Sequence, residues 1–413
     1  MEMLQDEAVV VARPRPRPEA AAAVVAVRRM NSSSDGKMCY ANNSDFQRVI
    51  ASVTKKARQE LAAALYRARG RPDSMGIADL GCATGPNALL MVSDAVEAVL
   101  AETHLHHHPP PPQLHVFLND LPANDFNAVF RLLPSSPLAA TGCCLVSAWP
   151  GSFYERVFPE ASLDYVVSSS SLHFLSKAPT MRMEHPNLGR VYVSESGPAA
   201  VLDAYHSQFH ADFLRLPLLP RRRDEARGLL LLTFVARRTA RPTAHDCYLW
   251  DLLADALMDM AAAGLVDEDQ VHVFNAPNYS PCPDDFAKVI AKEGSFTVRT
   301  MQLFDTTRRC LLLQAQADED ELPRWLAMET ASTVRAVVEP MLRTQFGWDA
   351  MDGLFCRGLQ LEFNSIRTGL CIIARSLQRE SNSIRIGHGH RRASCAAVAQ
   401  DSNVFLVLEK KQH

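Results

Sequence analysis

Residues Ile77–Asn87 read IADLGCATGPN, and the fold turns on this stretch. A short apolar strand, Gly76–Leu80, enters a turn in which Gly81 and Gly85 let the backbone pass close to a ligand. An apolar helix from Ala88 to about Ala101 follows. Strand, glycine turn and helix open a βαβ unit, the repeating piece of a doubly wound α/β sheet. The G-x-x-x-G spacing is not the G-x-G-x-x-G order of dinucleotide enzymes, and no G-x-x-x-x-G-K-[ST] phosphate loop occurs. A ligand without a pyrophosphate is therefore favoured, and Asp79 is placed to bind a ligand's ammonium group. Taken alone, the segment also reads as a turn that only reverses the chain.

Upstream, Phe46, Val49, Ile50, Val53, Ala57, Leu61 and Leu65 recur at helical spacing and predict an amphipathic helix over Asn42–Arg67. Ser44 is its expected N-cap, and Ser44 with Gln47 forms an S-x-x-Q capping box, which satisfies orphan amides without any ligand. Downstream, apolar runs at Leu114–Leu118, Cys143–Ala148, Leu163–Ser168, Arg190–Ser194 and Leu229–Ala236 predict parallel core strands. A helix is expected around Ala200–Leu216. From Asp246 onward, Leu249, Leu252, Leu253, Ala256, Leu257 and Met260 share one helical face, with Asp251, Asp255 and Asp259 opposite. A second helical stretch runs from about Glu321 to Phe346, with Pro340 as a break or kink.

The expected architecture is α/β, a Rossmann-like domain carrying a helical cap. Residues 1–29 read as a disordered extension, 30–245 as mainly core, and 246–360 as the cap with interleaved core elements. In 361–413 the stretch RIGHGHRRAS intervenes before VFLVLE offers a last core strand.

Composition narrows the partners. In 413 residues, 43 Lys and Arg stand against 46 Asp and Glu, a net charge of −3, so general attraction to nucleic acid or an anionic membrane is not expected. Hydrophobic residues at 47% and charged residues at 22% match ordinary globular usage and exclude wholesale disorder. The ten cysteines show no C-x-x-C pair, so they read as reduced thiols rather than a zinc or redox centre. Apolar runs fall short of the ~20 residues that span a bilayer. The Ala- and Val-rich start with RPRPRP contains Glu2, Asp6, Glu7 and Glu19, which argues against a transit peptide, and a cytoplasmic location is expected. HLHHHPPPP reads as a solvated loop rather than a metal site.

Two further segments carry chemistry. In FLNDLP, Asp120 follows the second strand where nucleoside-binding α/β folds grip ribose hydroxyls, although a carboxylate there can equally cap the next helix. In PGSFY, Ser152 can bond a base edge or hydroxyl while Phe153 stacks on a purine, against the alternative of a turn with a buried aromatic.

Together and in order, MNSSSDGKMCYANNSDFQ, ADLGCATGPN, FLNDLPANDFN, PGSFYERVFP, SSSSLHFLSKAP and RAVVEPML resemble the plant carboxyl methyltransferases of the SABATH family. These enzymes methylate salicylate, benzoate, jasmonate, indoleacetate and related small acids. The likeness covers most of residues 30–360 and implies a Rossmann-like class I S-adenosylmethionine-dependent methyltransferase with a helical cap over the acid. By the same resemblance, Tyr40, Ser44, Asp79, Cys82 and Asn87 surround the methionine part of the donor. Asp120 and Leu121 hold its ribose, and Ser152 and Phe153 lie near its adenine. Gln47 resembles the glutamine that holds the acceptor carboxylate, a role that competes with capping. No general base is expected, since a carboxylic acid is already ionised at neutral pH.

For the acceptor, salicylate-type relatives have Tyr at the position of Ser170 and Trp at that of Phe174, and both residues are smaller here. Ser170, with CYLWDLL at Cys247–Leu253 and FNAPNY at Phe274–Tyr279, looks more like jasmonate-methylating members. His173, Leu249, Trp250, Tyr279, Val334 and Val337 fall where family members line the acid. Jasmonate is the expected acceptor and benzoate or salicylate the nearest competitor. Nitrogen methylation of a xanthine-like heterocycle, or a paralogue that binds but turns over poorly, are the other readings. Some family members carry magnesium; Asn187, the Phe274 carbonyl and Asn275 match that site, but His272 replaces its acid, and magnesium prefers hard oxygen ligands. A homodimer is expected by family analogy alone.

Overall fold

The structure, a computed structural model, describes residues 30, 39–105, 110–181, 187–216, 228–307, 322–361, 364 and 400–411. The expected extension, residues 106–109 of the His/Pro tract and RIGHGHRRAS lie outside the described residues. In chain order the elements are α1 (Asp45–Ala68), β1 (Ser74–Leu80), α2 (Pro86–Leu105), β2 (Gln113–Asp120), α3 (Phe126–Leu132), β3 (Cys144–Pro150), β4 (Tyr165–Ser169), α4 (Ala199–Phe213) and β5 (Leu229–Val235). There follow α5 (Ala244–Ala262), α6 (Glu268–Val273), α7 (Pro283–Glu293), β6 (Phe296–Thr307), α8 (Leu322–Phe346), a helix α9 over 349–361, and β7 (Gln400–Lys410).

Every residue of β1 after Ser74 is buried, and all of β5 but Val235, because helices cover both faces of the strands. The seven strands form one sheet in the order β3-β2-β1-β4-β5-β7-β6. The first five run parallel, and β7 runs antiparallel between β5 and β6. Strand order reverses between β1 and β4, so the loops leaving their carboxyl ends part and open a crevice there.

Alternation along the strands splits the core in two. Ala78 and Leu80 face the layer that holds Tyr205, Phe209 and Phe286, while Met75 and Ile77 face the layer under α1 and α2. A third apolar cluster joins Leu253, Leu257 and Met260 of α5 to Met341 and Leu342 of α8, Leu354 and Phe355 of α9, and Phe174. This is the helical cap.

Two sequence expectations are corrected. Arg190–Ser194 forms no strand: Val191, Tyr192 and Val193 are buried between the sheet layer and the cap, as packed loop. A short apolar run signals burial without saying whether its backbone joins a ladder. Of the break or kink expected at Pro340, the break does not occur: α8 continues through it, and Thr344 Oγ1 donates to the Pro340 carbonyl at 2.9 Å.

A buried ion pair fixes α1 on the sheet. The Arg58 guanidinium of α1 meets the Asp94 carboxylate of α2, each 1% exposed, and Arg58 also donates to the Ala51 carbonyl at 2.8 Å. Tyr165 of β4 donates its hydroxyl to the Arg58 carbonyl at 2.8 Å. This knot fixes the direction of α1 against α2 and β4. Removing one partner leaves a buried, uncompensated charge, so Asp94→Ala is expected to cost about 3–5 kcal/mol, read as a lower urea midpoint with unchanged slope.

Candidate active site

The crevice is a cavity with an empty volume of ≈ 540 Å³, part of it open to solvent. Its floor is the glycine turn. Gly81 has φ +73°, and a Cβ there would lie 2.4 Å from Ser171 Cβ. At Gly85, φ is +99° and a Cβ would lie 2.7 Å from Ala41 Cβ. Both positions therefore require glycine for conformation and for space.

The end of β2 holds the turn. The Asn119 carbonyl accepts from the Gly81 and Cys82 amides, both at 2.9 Å. Asp120 Oδ2 accepts from the Ala83 amide and Oδ1 from the Leu121 amide, each at 2.7 Å. Asn119 Nδ2 donates to the Trp149 and Gly151 carbonyls at 2.7 and 3.0 Å, which positions the turn bearing Ser152 and Phe153. Ser171 Oγ donates to the Gly81 carbonyl at 2.9 Å, tying in the loop after β4. Tyr40, Asp120, Leu121, Ser152, Phe153, Ser170 and Phe174 are thus brought to one cavity.

Its electrostatics are lopsided. Burial, reinforced by the Asp120 charge, pushes the Asp79 carboxyl up to about 8, with Arg58 offsetting this in part. Burial likewise holds Asp120 at about 6 despite the two amides that favour its ionised form. Burial and the same two carboxylates raise Tyr40 and Cys82, which stay protonated. No lysine or arginine is among the described residues lining the cavity. Two acids raised above their ordinary range chiefly by burial, Asp79 also by the Asp120 charge, beside a cleft, suit a cation.

Three of the residues expected to meet the acceptor carry buried polar atoms that lack partners. The expected capping box does not form: Ser44 makes no side-chain cap, and its Oγ instead accepts from Asn87 Nδ2 at 3.0 Å. The loop-to-helix link to α2 has taken the hydroxyl that would have closed the box. Gln47 is left with its Oε1 buried and unpartnered, as are Ser170 Oγ and His173 Nδ1. Ser170 sits at φ +54°, strained for a residue with a Cβ. Burial lowers His173 to about 4, so its imidazole is neutral at physiological pH. Of these three, Ser170 lines the cavity, where a buried hydroxyl without a partner calls for a ligand, whereas Gln47 and His173 are not among the residues that line it.

Phe174, Trp250, Val334 and Val337 meet in the cap cluster, and Met30 packs there while also lining the cavity. Leu249 is half-buried outside these clusters. Tyr279 is not brought to the cavity: it is 1% exposed in the sheet layer, and its hydroxyl bonds Arg237 and Asp285.

The residues matched to a magnesium site do not fit one. Asn275 Oδ1 accepts from Asn187 Nδ2 at 3.1 Å, Asn187 Nδ2 also donates to the Tyr192 carbonyl, and His272 Nδ1 accepts from the Gly189 amide at 2.9 Å. The amide oxygen a metal would take is already used within the protein, and no carboxylate completes the set. Among the described residues no group of three or more His, Cys, Asp or Glu side chains is arranged to hold a metal ion. Nor is any described helix long and apolar enough to cross a membrane.

Asn119, Tyr154, Ser171 and Met30 were not singled out by the sequence. Only Asn119 carried a signal, a polar residue at the end of an apolar strand; Tyr154 donates its hydroxyl to the Phe174 carbonyl at 2.7 Å, a contact that no spacing reveals.

A family model described as SAM dependent carboxyl methyltransferase matches residues 26–376. The jasmonate O-methyltransferase of Arabidopsis thaliana is 37% identical over 81% of this chain and 92% of its own. A 3,7-dimethylxanthine N-methyltransferase of Camellia sinensis var. assamica is 33% identical over 78% of this chain and 88% of its own. Among solved structures, loganic acid methyltransferase with SAH superposes with a TM-score of 0.71 at 26% identity, covering 92% of this chain and 98% of that one.

A cationic ligand beside Asp79 favours its ionised form and so expels a proton on binding. Affinity for S-adenosylmethionine is therefore expected to rise by up to about tenfold per pH unit from pH 6 towards 8, and Asp79→Asn to weaken binding and flatten that rise, by calorimetry. The unliganded fold shows the opposite sign: Asp79 binds its proton more tightly folded than unfolded, so its contribution to stability falls as pH rises from the ordinary carboxyl range towards 8.

Proposed function

This chain belongs to the S-adenosylmethionine-dependent carboxyl methyltransferase family, and we propose that within it the enzyme methylates the carboxylate of a small hormone-like acid, jasmonate above all. The observation that carries the reading is the pairing of an acidic donor side, Asp79 and Asp120, with an uncharged acceptor side of orphaned polar atoms under an apolar cap.

The donor brings an electrophilic methyl on a sulfonium sulfur, and the protein's task is placement. Asp79 holds the ammonium end, with Tyr40, Ser44, Cys82 and Asn87 around the methionine chain. Asp120 retains lone pairs for ribose hydroxyls after bonding its two amides, and the Leu121 backbone lies beside it. Ser152 and Phe153 bound the adenine end. Gln47, turned so that its amide nitrogen faces the acid, and His173 hold the carboxylate. An ionised acid needs no proton removed, so a neutral His173 acts by hydrogen bonding rather than as a base. Phe174, Trp250, Val334 and Val337 supply the apolar wall that excludes water. In such a site sulfonium and carboxylate neutralise each other as the methyl moves, and alignment at ~3–3.5 Å provides most of the acceleration.

The small Ser170 side chain and the phenyl ring of Phe174 leave room for a cyclopentanone with a flexible side chain, which supports jasmonate over benzoate or salicylate. Xanthine nitrogen methylation is the second reading, favoured by the xanthine-methylating relative. Labelled donor with a panel of jasmonate, salicylate, benzoate, indoleacetate and xanthosine should give organic-extractable methyl ester from jasmonate first. Transfer to xanthosine alone, or to nothing, would overturn the assignment. Phe174 also lacks the indole N–H found at this position in salicylate-type relatives. A hydrogen bond to a charged group is worth about 1.5–3 kcal/mol, so Phe174→Trp should raise kcat/KM for the acid about tenfold or more. No gain would show that the wild-type site already satisfies the carboxylate.

A further inference from the structure

The loop that carries His173 and Phe174 is anchored to the segment 276–282. The His173 carbonyl accepts from the Tyr279 amide at 2.8 Å, the Leu175 amide donates to the Pro277 carbonyl at 2.9 Å, and Phe174 pairs antiparallel with Asn278. This bridge lies outside the seven-stranded sheet and has no strand behind it. The Tyr154 hydroxyl, donating to the Phe174 carbonyl at 2.7 Å, holds the same loop from the cavity side, and the two backbone bonds hold it from the side of loop 276–282.

The partner loop, 276–282, is in turn held by a buried knot. Arg237 donates from Nε to the Ser280 carbonyl at 2.7 Å, and from Nη2 to the Tyr279 hydroxyl at 2.7 Å and the Asp285 carboxylate at 3.1 Å. Asp285 Oδ2 also accepts from the Tyr279 hydroxyl at 2.8 Å and the Cys282 amide at 2.9 Å, while His206 Nε2 lies 3.4 Å from Oδ1. The Tyr192 hydroxyl accepts from the Ser280 amide at 2.9 Å. Arg237 and Asp285 are 3% and 5% exposed. Pulling them apart would leave buried charges unpaired, so the loop has one arrangement available.

We propose that Tyr279, Arg237 and Asp285 are positioning residues for methyl transfer: their knot fixes loop 276–282, and that loop fixes the placement of His173 and Phe174 at the acceptor site. The inference rests on the acceptor site assigned above. Tyr279 shows the division of labour. Its ring is buried against Tyr205 and Phe209, which a phenylalanine would satisfy equally, so its hydroxyl serves the knot. The coupling runs through backbone, from the Tyr279 hydroxyl and amide to the His173 carbonyl.

Tyr279→Phe removes the hydroxyl and keeps the ring. Tyr205→Phe, whose hydroxyl reaches only the Val191 carbonyl at 3.5 Å, is the matched control in the same core. In the full-length protein, hydrogen exchange at the Leu175 and Tyr279 amides should speed up about five- to tenfold in Tyr279→Phe, with β1 unchanged and the control like wild type. The acceptor KM should rise about three- to tenfold while donor Kd stays within about twofold. Arg237→Lys, which keeps the charge but loses the bond to Ser280, should act in the same direction should Tyr279→Phe fold poorly. Unchanged exchange at Leu175 and Tyr279, an equal effect in the control, or donor affinity falling in step with KM would overturn the proposal. A wild type that methylates no acid would instead overturn the acceptor assignment, and the exchange measurements would still decide whether the knot holds the loop.

Discussion

Two neighbouring residues at the end of β2 hold the site together. Asn119 and Asp120 accept from the amides of Gly81, Cys82, Ala83 and Leu121, and Asn119 reaches across to the Trp149 and Gly151 carbonyls. A glycine turn has little preference of its own, since its freedom is what makes it usable, so its shape has to be imposed from outside. Here one dipeptide imposes it on the loop after β1 and aligns the loop after β3 as well. The cost falls on Asp120, which is largely shielded from solvent near Asp79, with no lysine or arginine among the described residues that line the cavity. The constraint that shapes the turn therefore also creates the negative field in which a cationic donor is stable.

That field explains how a chain of nearly balanced charge can discriminate between two small charged partners. Its net charge of −3 provides no useful steering. In the function proposed here discrimination is local, with Asp79 and Asp120 on the donor side and neutral groups on the acceptor side, His173 being kept uncharged by burial. A positively charged acceptor side would bind the acid more tightly but would stabilise its ground-state charge, which disappears during transfer. Binding that is stronger before the transition state than in it slows the chemical step.

The fold was legible where local pattern and global topology coincide. Strand, glycine turn and helix at Ile77–Asn87 are short-range features that the doubly wound sheet uses directly, and the buried runs of β1, β2 and β5 announce themselves by composition. Legibility fails where a tertiary partner competes with a local one. Ser44 and Gln47 satisfy the capping pattern, yet Asn87, distant in sequence, takes the Ser44 hydroxyl. Arg190–Ser194 has the apolar density of a strand, but its neighbours are a sheet layer and a cap helix. Tyr279 lies in a segment resembling an acid-lining one, but pairing with Arg237 and Asp285 turns it into the core, and nothing in its immediate sequence marks those two residues as its partners.

The same competition explains why the chemistry leaves so faint a mark on the sequence. Proton-transfer catalysis demands a nucleophile, a base and an orienting group, residue types whose combination can be searched for. Methyl transfer to an ionised acid demands geometry, which is distributed over backbone amides, loop anchors and apolar walls that any fold also uses for stability. Residues such as Asn119, Tyr154 and Arg237 therefore look structural because they are structural, and the role in the reaction proposed for Arg237 works through that structure. The Ser170 hydroxyl, buried without a partner at the cavity wall, is a different case, since stability alone would have paired it or replaced it with an apolar group. The acceptor role proposed for that wall accounts for its persistence.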